Sequence, residues 1–598
     1  MILAAFGAAI FLASIVAPPS LMDDVDAVNA QIARNMLESG DWVTARINGV
    51  AYLEKSPLGF WLMAASYAVF GPRDWAARLP SALGAIGLMW ATAALGRWGL
   101  GRRAGFYSGL AVGASAGLFL FTRIVIPDVL LALAVTLALY CFLRAIEEQN
   151  RRWALGYWAC IGAGMLLKGL LAALVPVAVA GLYLLLTRRL FEGRTWRAMR
   201  PALGVLLMLA IYAPWVVLAS IRNPPVFDLA MRSEPGVYRG FFWFYFINEH
   251  VLRFLNLRYP RDYNTAPRAL FLALHLVWIF PWSAFLPAAL RLPASRLPER
   301  AARLRLLALL WIGFLLAFLS FSTTQEYYSM PCYPAFAVLV GAGLTLGARR
   351  WVAAGYGALA AAGVSFAAIA GVILYRVRGV EAAGDISSAL TQNPEAYTLS
   401  LGHMQDLTLA SFAYLRGPLV AAAAALGIGA TAAWMARRKR FAPLILAAMM
   451  TVLAHAARSA MAVFDPYLSS RPLAEAIDGA PEGRLVIEGH YYPASSVAFY
   501  TNRQALLWNG RRDNLVYGAA APGAPAVFLE DADLARLWRS GERVYLVAPS
   551  ASRARLEELA SLREETASGI EPRGEVKVLA ERGGKMVATN RSDTIGGR

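Results

Sequence analysis

Apolar residues in this chain come in long blocks rather than in alternation. Blocks near the roughly 20 residues that a helix needs to cross a hydrocarbon core are centred near residues 9, 89, 112, 136, 160, 178, 210, 278, 313, 339, 363, 426 and 451. The pattern predicts a polytopic α-helical membrane protein with about thirteen transmembrane helices. The loops between the blocks alternate in character. One set holds Arg97, Arg102 and Arg103; Arg151 and Arg152; Arg188, Arg189, Arg194, Arg197 and Arg200; Arg291, Arg296 and Arg300; Arg349 and Arg350; and the run "RRKR" from Arg437 to Arg440. The other set, including residues 18–80 and 221–266, is longer, more acidic and more aromatic. Basic loops remain on the cytoplasmic side, so the second set is expected to face outward.

The block "PLGFWLMAASYAVFG", residues 57–71, tests this count. It is short for a span, and counting it would invert every later loop. It is therefore expected to be an interfacial helix in a large first outer loop, residues 18–80. Met1 to Val16 has no basic flank and no small-residue cleavage pattern, so it is expected to be a retained first helix. Beyond residue 463 the pattern changes. "GRLVIEGHYYPASSVAFYTN", "APAVFLEDADLARLWRSGERVYLVAP" and "EVKVLAERGGKMVATN" mix strand-like and helix-like periods. The expected division is a transmembrane domain, 1–463, and a small soluble α/β domain, 464–598, on the outer side.

Composition sharpens this picture in two places. Hydrophobic residues make up 58% of the 598 and charged residues 16%, against roughly 25% charged in soluble domains. The net charge of +18 would suggest nucleic acid in a soluble protein. Here most of the arginine lies in short loops, so no nucleic-acid partner is expected. The three cysteines, Cys141, Cys160 and Cys332, form neither a disulfide framework nor a CxxC site. No P-loop or GxGxxG motif points to a nucleotide.

Candidate chemistry concentrates in the outward loops. "LMDDVDAVNAQIARNML" places Asp23, Asp24 and Asp26 at the start of an amphipathic helix whose apolar stripe is Leu21, Val25, Val28, Ile32 and Met36. One carboxylate suffices for an N-cap or for the helix dipole, and here there are three. "GVAYLEKSP" carries Glu54 and Lys55. "TRIVIPD" carries Arg123 and Asp128, and "LLKGLL" carries Lys168. "EHVLRFLNLRYPRD" carries Glu249, His250, Arg253, Arg258 and Arg261, against the positive-inside trend. "STTQEYYSMPCYP" adds Gln325, Glu326, Tyr327 and Tyr328. Plainer roles exist for most of these: a local ion pair, a turn lysine beside Gly169, a carboxylate at a helix start. Together they suit transfer of a group from a lipid phosphate. Cations would receive the leaving phosphate, and a base would serve an acceptor hydroxyl. The competing class, a transporter or lipid flippase, calls for ionisable groups near the bilayer midplane. The midplanes here are almost purely apolar.

The segments "DDVDAVNAQIARNMLESGDWVTARINGVAYLEKSPLGFWLMAASYAVFG", "AARLPSALGA", "RIVIPDVLLALAVTLALY", "LLKG", "EHVLRFL" and "TTQEYYSMPCYPA" occur in that order. They resemble the bacterial lipid A aminoarabinose transferases and the wider polyprenyl-phosphate-sugar glycosyltransferases of the GT-C class, related to protein O-mannosyltransferases. The resemblance covers roughly residues 1–350. It implies the GT-C fold and a bacterial inner-membrane location with the active site on the periplasmic side. It also implies inverting transfer of a sugar from an undecaprenyl-phosphate donor to lipid A, another glycolipid or a protein acceptor. The candidate donor sugar is 4-amino-4-deoxy-L-arabinose. It implies that the catalytic carboxylate is Asp24 or Asp23, and Asp26 is a third candidate; Asp128 is expected to meet it across the cavity. The donor phosphate would be held by Lys55 and Arg253, with Arg258 or Lys168. Glu54, His250 and Tyr328 fall where a zinc set would lie. The chain departs from the family's first-loop motif at Val28 and Asn29, where an Arg-Tyr pair is usual, and lacks a Lys-Leu-Pro run before Tyr327.

Overall fold

Each of the thirteen expected spans is helical in the computed structural model, which describes residues 1–16, 19–224, 230–260, 266–293, 295, 297–391, 402–511, 514–561, 565–566, 569–570 and 576–591. Arg261 and Arg296 lie outside the described residues. Among those described, eight helices are long and apolar enough to cross a membrane, from Asp74–Leu100 to Ala442–Val463. Two bent pairs raise the number to ten. Arg102–Gly113 and Ala116–Arg123 meet at 45°, and Arg268–Trp278 and Trp282–Leu290 meet at 93°. The second bend falls at Pro281, whose ring removes an N–H and crowds the preceding turn. The other three expected spans are helices of lower rank. Ile2–Val16 and Leu171–Leu186 are apolar but short. Arg151–Lys168 carries three cations, Arg151, Arg152 and Lys168. The chain is a multi-pass membrane protein.

The expected interfacial block is the helix Leu58–Phe70, 13 residues that stop at Gly71. Its neighbour Asp74–Leu100 turns back at Gly101 and packs on Arg102–Gly113. A methyl group at Gly105 would lie 2.4 Å from the Arg97 nitrogen, so a small residue is required for that close crossing.

The alternation of loops is visible in contacts. Glu147 pairs with Arg189 at 3.1 Å and with Arg303. Arg300 lies over Trp98, Arg291 over Trp351, and Tyr107 donates to the Arg440 carbonyl at 2.6 Å. The arginine-rich loops therefore share one end of the bundle. The acidic and aromatic loops meet at the other end.

The C-terminal sheet has six strands. Their order is Phe528–Leu529, Ala505–Trp508, Arg484–Glu488, Val544–Pro549, Lys585–Thr589 and Lys577–Arg582. The first four run parallel and the last two are antiparallel. Gly583 and Gly584 take φ +60° and +73° in the turn of the last hairpin, as a tight two-residue turn demands. The C-terminal region packs largely apart from the bundle core but shares one of its apolar clusters with the first loop. Val28, Ile32, Met36 and Tyr67 from the first loop share one apolar cluster with Leu473, Ile487, Val497 and Leu507 from the C-terminal region.

Candidate active site

A cavity of about 700 Å³ opens at the acidic end of the bundle, within the usual range for small-molecule sites. Asp24, Glu54, Lys55, Asp128, Lys168, Glu249, His250, Arg253, Arg258 and Tyr328 all line it. Residues from six separate stretches of sequence thus share one space. Asp23 and Asp26 do not line it.

The three aspartates differ sharply. Asp26 is 1% exposed. It pairs with Arg78 at 3.0 Å and accepts the Val125 N–H at 2.8 Å. Arg78 also donates to the carbonyls of Pro19, Ser20 and Arg123, so Asp26 ties the first loop to the bundle. Asp23 is held by the C-terminal region. It accepts from the backbone and hydroxyl of Ser496, from Ser470, and from Lys585 at 2.7 Å.

Asp24 is the exception. It occupies the N-cap position of Val25–Ser39, yet its side chain makes no capping bond. Its carboxylate has no hydrogen-bond partner among the described residues and stands open to the cavity. Its backbone sits at φ 71°, ψ −124°, a conformation that costs a side-chain-bearing residue roughly 1–3 kcal/mol. Enclosure by protein on its other sides pushes its pKa up to about 7, and the charges of Asp23 and Asp26 add to the rise. The expected apolar stripe also shifts. Val28, Ile32 and Met36 are buried, Val25 is exposed, and Leu21 precedes the helix.

Another part of the lining is cationic. Lys55 pairs with Glu54 at 2.9 Å. Burial favours the neutral form of Glu54, but Lys55 and Arg258, together with the Tyr52 hydroxyl, hold its pKa down at about 2. Lys168 pairs with Asp128 and lies 4.2 Å from the ring centre of Tyr328. Arg258 is buried and grips both oxygens of Glu249, at 2.8 and 2.9 Å. Arg253 shares Glu249 at 3.1 Å and donates to the Tyr328 hydroxyl at 2.8 Å. Among the described residues, four cations thus meet three carboxylates on this wall. Beside it runs an apolar flank of partly exposed side chains, Leu170, Leu174, Val251, Phe254 and Leu255.

The expected zinc set is brought to the cavity but is not arranged for a metal. His250 Nε2 accepts the Leu170 N–H at 3.1 Å, and Nδ1 donates to the Tyr245 carbonyl at 2.6 Å. Both ring nitrogens are therefore engaged. The Tyr328 hydroxyl takes its bond from Arg253, and Glu54 Oε1 is shared by Tyr52 and Lys55. Among the described residues no three His, Cys, Asp or Glu side chains are grouped to hold a metal ion. Gly169 makes the His250 contact feasible. Its φ is +64°, and a methyl there would lie 2.3 Å from Nε2.

Sequence reasoning missed Tyr52, which donates to Glu54, and Tyr492, whose hydroxyl lies 3.4 Å from that of Tyr52. Tyr492 belongs to the C-terminal region yet lines the cavity. Its segment "GHYYPASS" is rich in polar and aromatic residues, but no spacing rule links it to residue 24.

Comparison with known proteins bears on this arrangement. The chain superimposes on the crystal structure of ArnT from Cupriavidus metallidurans bound to undecaprenyl phosphate with a TM-score of 0.80. The match is 23% identical and covers 100% of this chain and 98% of that one. The chain has the ArnT fold. The apo form of the same protein matches with a TM-score of 0.77. Residues 54–218 match the family described as dolichyl-phosphate-mannose-protein mannosyltransferase. The undecaprenyl phosphate-alpha-4-amino-4-deoxy-L-arabinose arabinosyl transferase 1 of Pseudomonas fluorescens strain Pf0-1 is 31% identical over 385 residues, 62% of this chain and 61% of that protein. The corresponding transferase of Pseudomonas aeruginosa PAO1 is 33% identical over 324 residues, 52% of this chain and 53% of that one. The matches span half to three fifths of the curated relatives' length. The fold is the expected multi-pass helical bundle with a small C-terminal sheet, shared with ArnT.

Proposed function

We propose that this protein is a glycosyltransferase that moves a sugar from a polyprenyl monophosphate carrier to an acceptor at the membrane surface. The carrying observation is the polarity of the cavity: a strained carboxylate with no partner among the described residues, a cluster of four cations held by carboxylates, and an apolar flank beside them. The ArnT fold and the relatives' names support undecaprenyl phosphate as the carrier and 4-amino-4-deoxy-L-arabinose as the sugar. A lipid A acceptor, the bacterial inner membrane and a periplasmic site are part of the same proposal and rest on the resemblance of the sequence motifs.

In this reading the lipid lies along Leu170, Leu174 and Phe254, with its phosphate at Lys55, Lys168 and Arg253. The bond between the anomeric carbon and the phosphate oxygen breaks, and its electron pair stays on the phosphate. The cations stabilise that growing charge, a contribution of about 3 kcal/mol for each well-placed donor. The acceptor oxygen attacks from the opposite face and forms the new glycosidic bond, which inverts the anomeric centre. Where the acceptor is a hydroxyl, its proton goes to Asp24, whose pKa near 7 suits a general base. Where the acceptor is an already ionised phosphate, Asp24 orients it. Asp128 and Glu249 hold Lys168, Arg253 and Arg258 in place. Asp23 and Asp26 act on the loop rather than on substrate. Zinc on Glu54, His250 and Tyr328 has no part in this mechanism, because His250 would have to give up one of its two backbone bonds to bind it.

The test is release of undecaprenyl phosphate from undecaprenyl-phosphate aminoarabinose by purified Asp24→Asn and Lys55→Ala proteins. Loss of release in both supports the reading, and full activity in both overturns it.

A further inference from the structure

The segment before the first-loop helix is stitched to the C-terminal region residue by residue. Ser20 donates through its backbone and hydroxyl to Asp465, at 2.6 and 2.7 Å. The Leu21 N–H donates to the Tyr500 hydroxyl at 2.8 Å, and its carbonyl accepts from Ser469 at 2.8 Å. The Asp23 N–H donates to the Leu468 carbonyl at 2.9 Å. The Asp23 carboxylate takes Ser470, Ser496 and Lys585. The Asp24 N–H reaches the Tyr492 carbonyl at 2.9 Å and the Ser495 hydroxyl at 3.0 Å. The partners of residues 20–24 in this set all come from residues 465–500 or from Lys585.

Two facts make this more than a glued surface. Asp24 is the one residue of the segment at a strained backbone angle, and also the one whose side chain is left open to the cavity. A strained conformation persists only where its surroundings over-determine it, and here the surroundings are residues 465–470, the 490–496 segment and Lys585. Lys585 is delivered by the hairpin turn at Gly583 and Gly584. That turn packs so closely that a methyl on Gly583 would lie 2.4 Å from the Pro466 carbonyl oxygen. Lys585 also donates to the Pro493 carbonyl, so it bridges Asp23 to the turn that holds Asp24.

We propose that the C-terminal region is part of the active site: the clasp of Asp23 with Ser470, Ser496 and Lys585 positions Asp24. The clasp residues touch no substrate and act through the Asp24 backbone. The inference rests on Asp24 being the reacting carboxylate. It adds that a residue more than 550 positions away along the chain sets the orientation of that carboxylate.

The experiment uses the full-length protein in lipid nanodiscs. Lys585→Met and Ser496→Ala are compared with Lys585→Arg, which keeps the charge. The expected result is a kcat at least tenfold lower for Lys585→Met and Ser496→Ala, with the donor KM within twofold of the parent. Lys585→Arg is expected to retain at least half the parent rate. Binding of undecaprenyl phosphate, measured by native mass spectrometry, is expected to be unchanged, because the cationic wall lies outside the clasp. Hydrogen exchange of the peptide covering residues 21–30 is expected to quicken in Lys585→Met and not in Lys585→Arg. This readout needs no turnover. Unchanged kcat in both variants, unchanged exchange, or a kcat loss matched by weaker undecaprenyl phosphate binding would each overturn the positioning role. If Asp24→Asn is inactive while Lys585→Met keeps full activity, the clasp fails and the glycosyltransferase reading stands. If Asp24→Asn is itself fully active, the fault lies with that reading.

Discussion

The two walls of the cavity are built on different principles. On the cationic wall every charge has a counter-charge close by: Lys55 with Glu54, Lys168 with Asp128, and Arg253 and Arg258 with Glu249. Three of the cations are paired within their own loop, and Lys168 pairs with Asp128 across the bundle. On the acidic wall Asp24 has no counter-ion among the described residues, stands at an unfavourable backbone angle, and has contacts from the far end of the chain. Paired charges can be kept in a low-dielectric site without losing their ionised form. An unpaired carboxylate there keeps a raised pKa, which equips it to take a proton near neutral pH. The first wall is suited to holding a charge and the second to moving one.

Asp24→Asn tests this contrast most severely. It is expected to lower the turnover number by about 10²–10⁴-fold, the range of a lost general base, while undecaprenyl phosphate binding is kept. The same variant should not lose stability. A carboxyl whose folded-state pKa is raised favours folding below its unfolded pKa, and that contribution is lost as pH rises through about 7. Above pH 7 the ionised group opposes folding. Asp24→Asn is therefore expected to melt at an equal or higher temperature than the parent at pH 8. A lower melting temperature would show Asp24 to be structural.

Asp26→Ala should do the opposite. It leaves Arg78 buried without its ion pair, a loss of about 3–5 kcal/mol, seen as a large fall in melting temperature. Lys55→Ala is expected to cost about 10²–10³-fold in rate and to weaken undecaprenyl phosphate binding, which Asp24→Asn would not do. Identical binding in the two variants would erase the distinction between the walls. Gly169→Ala should cost about 1–3 kcal/mol through its positive φ and the clash with His250, read as a lower melting temperature. The smallest effect is in pH. With a hydroxyl acceptor the rate should rise as pH passes through about 7, as Asp24 loses its proton. The cationic wall should contribute no inflection there, since Glu54 ionises far lower. A rate flat from pH 5 to 8 would exclude Asp24 as the base.

The apolar blocks of the sequence already contain the bundle, because a helix in hydrocarbon must satisfy its own backbone and be long enough to span. Both are local properties. Residues 57–71 are legible as a helix too short to span for the same reason. The sharing of one end by the arginine loops also follows from the alternation of blocks, and the contacts of Glu147 and Arg300 bear it out. The cavity was legible as a list of side chains, Asp24, Lys55, Asp128, Lys168 and Arg253 among them, since ionisable groups beside apolar blocks are costly unless used. Which aspartate faces the cavity was not legible. Asp23, Asp24 and Asp26 lie within one helical turn, and neither type nor spacing separates them. Tertiary contacts separate them: Arg78 claims Asp26, Lys585 claims Asp23, and Asp24 is left open. Those contacts join residues about 50 and more than 550 positions apart, and no periodicity in a sequence encodes a pairing at such distances. Sequence alone determined that this protein spans a membrane and where its charges gather. Only the tertiary structure decided which carboxylate stays unpaired, because long-range packing settles which charges are paired.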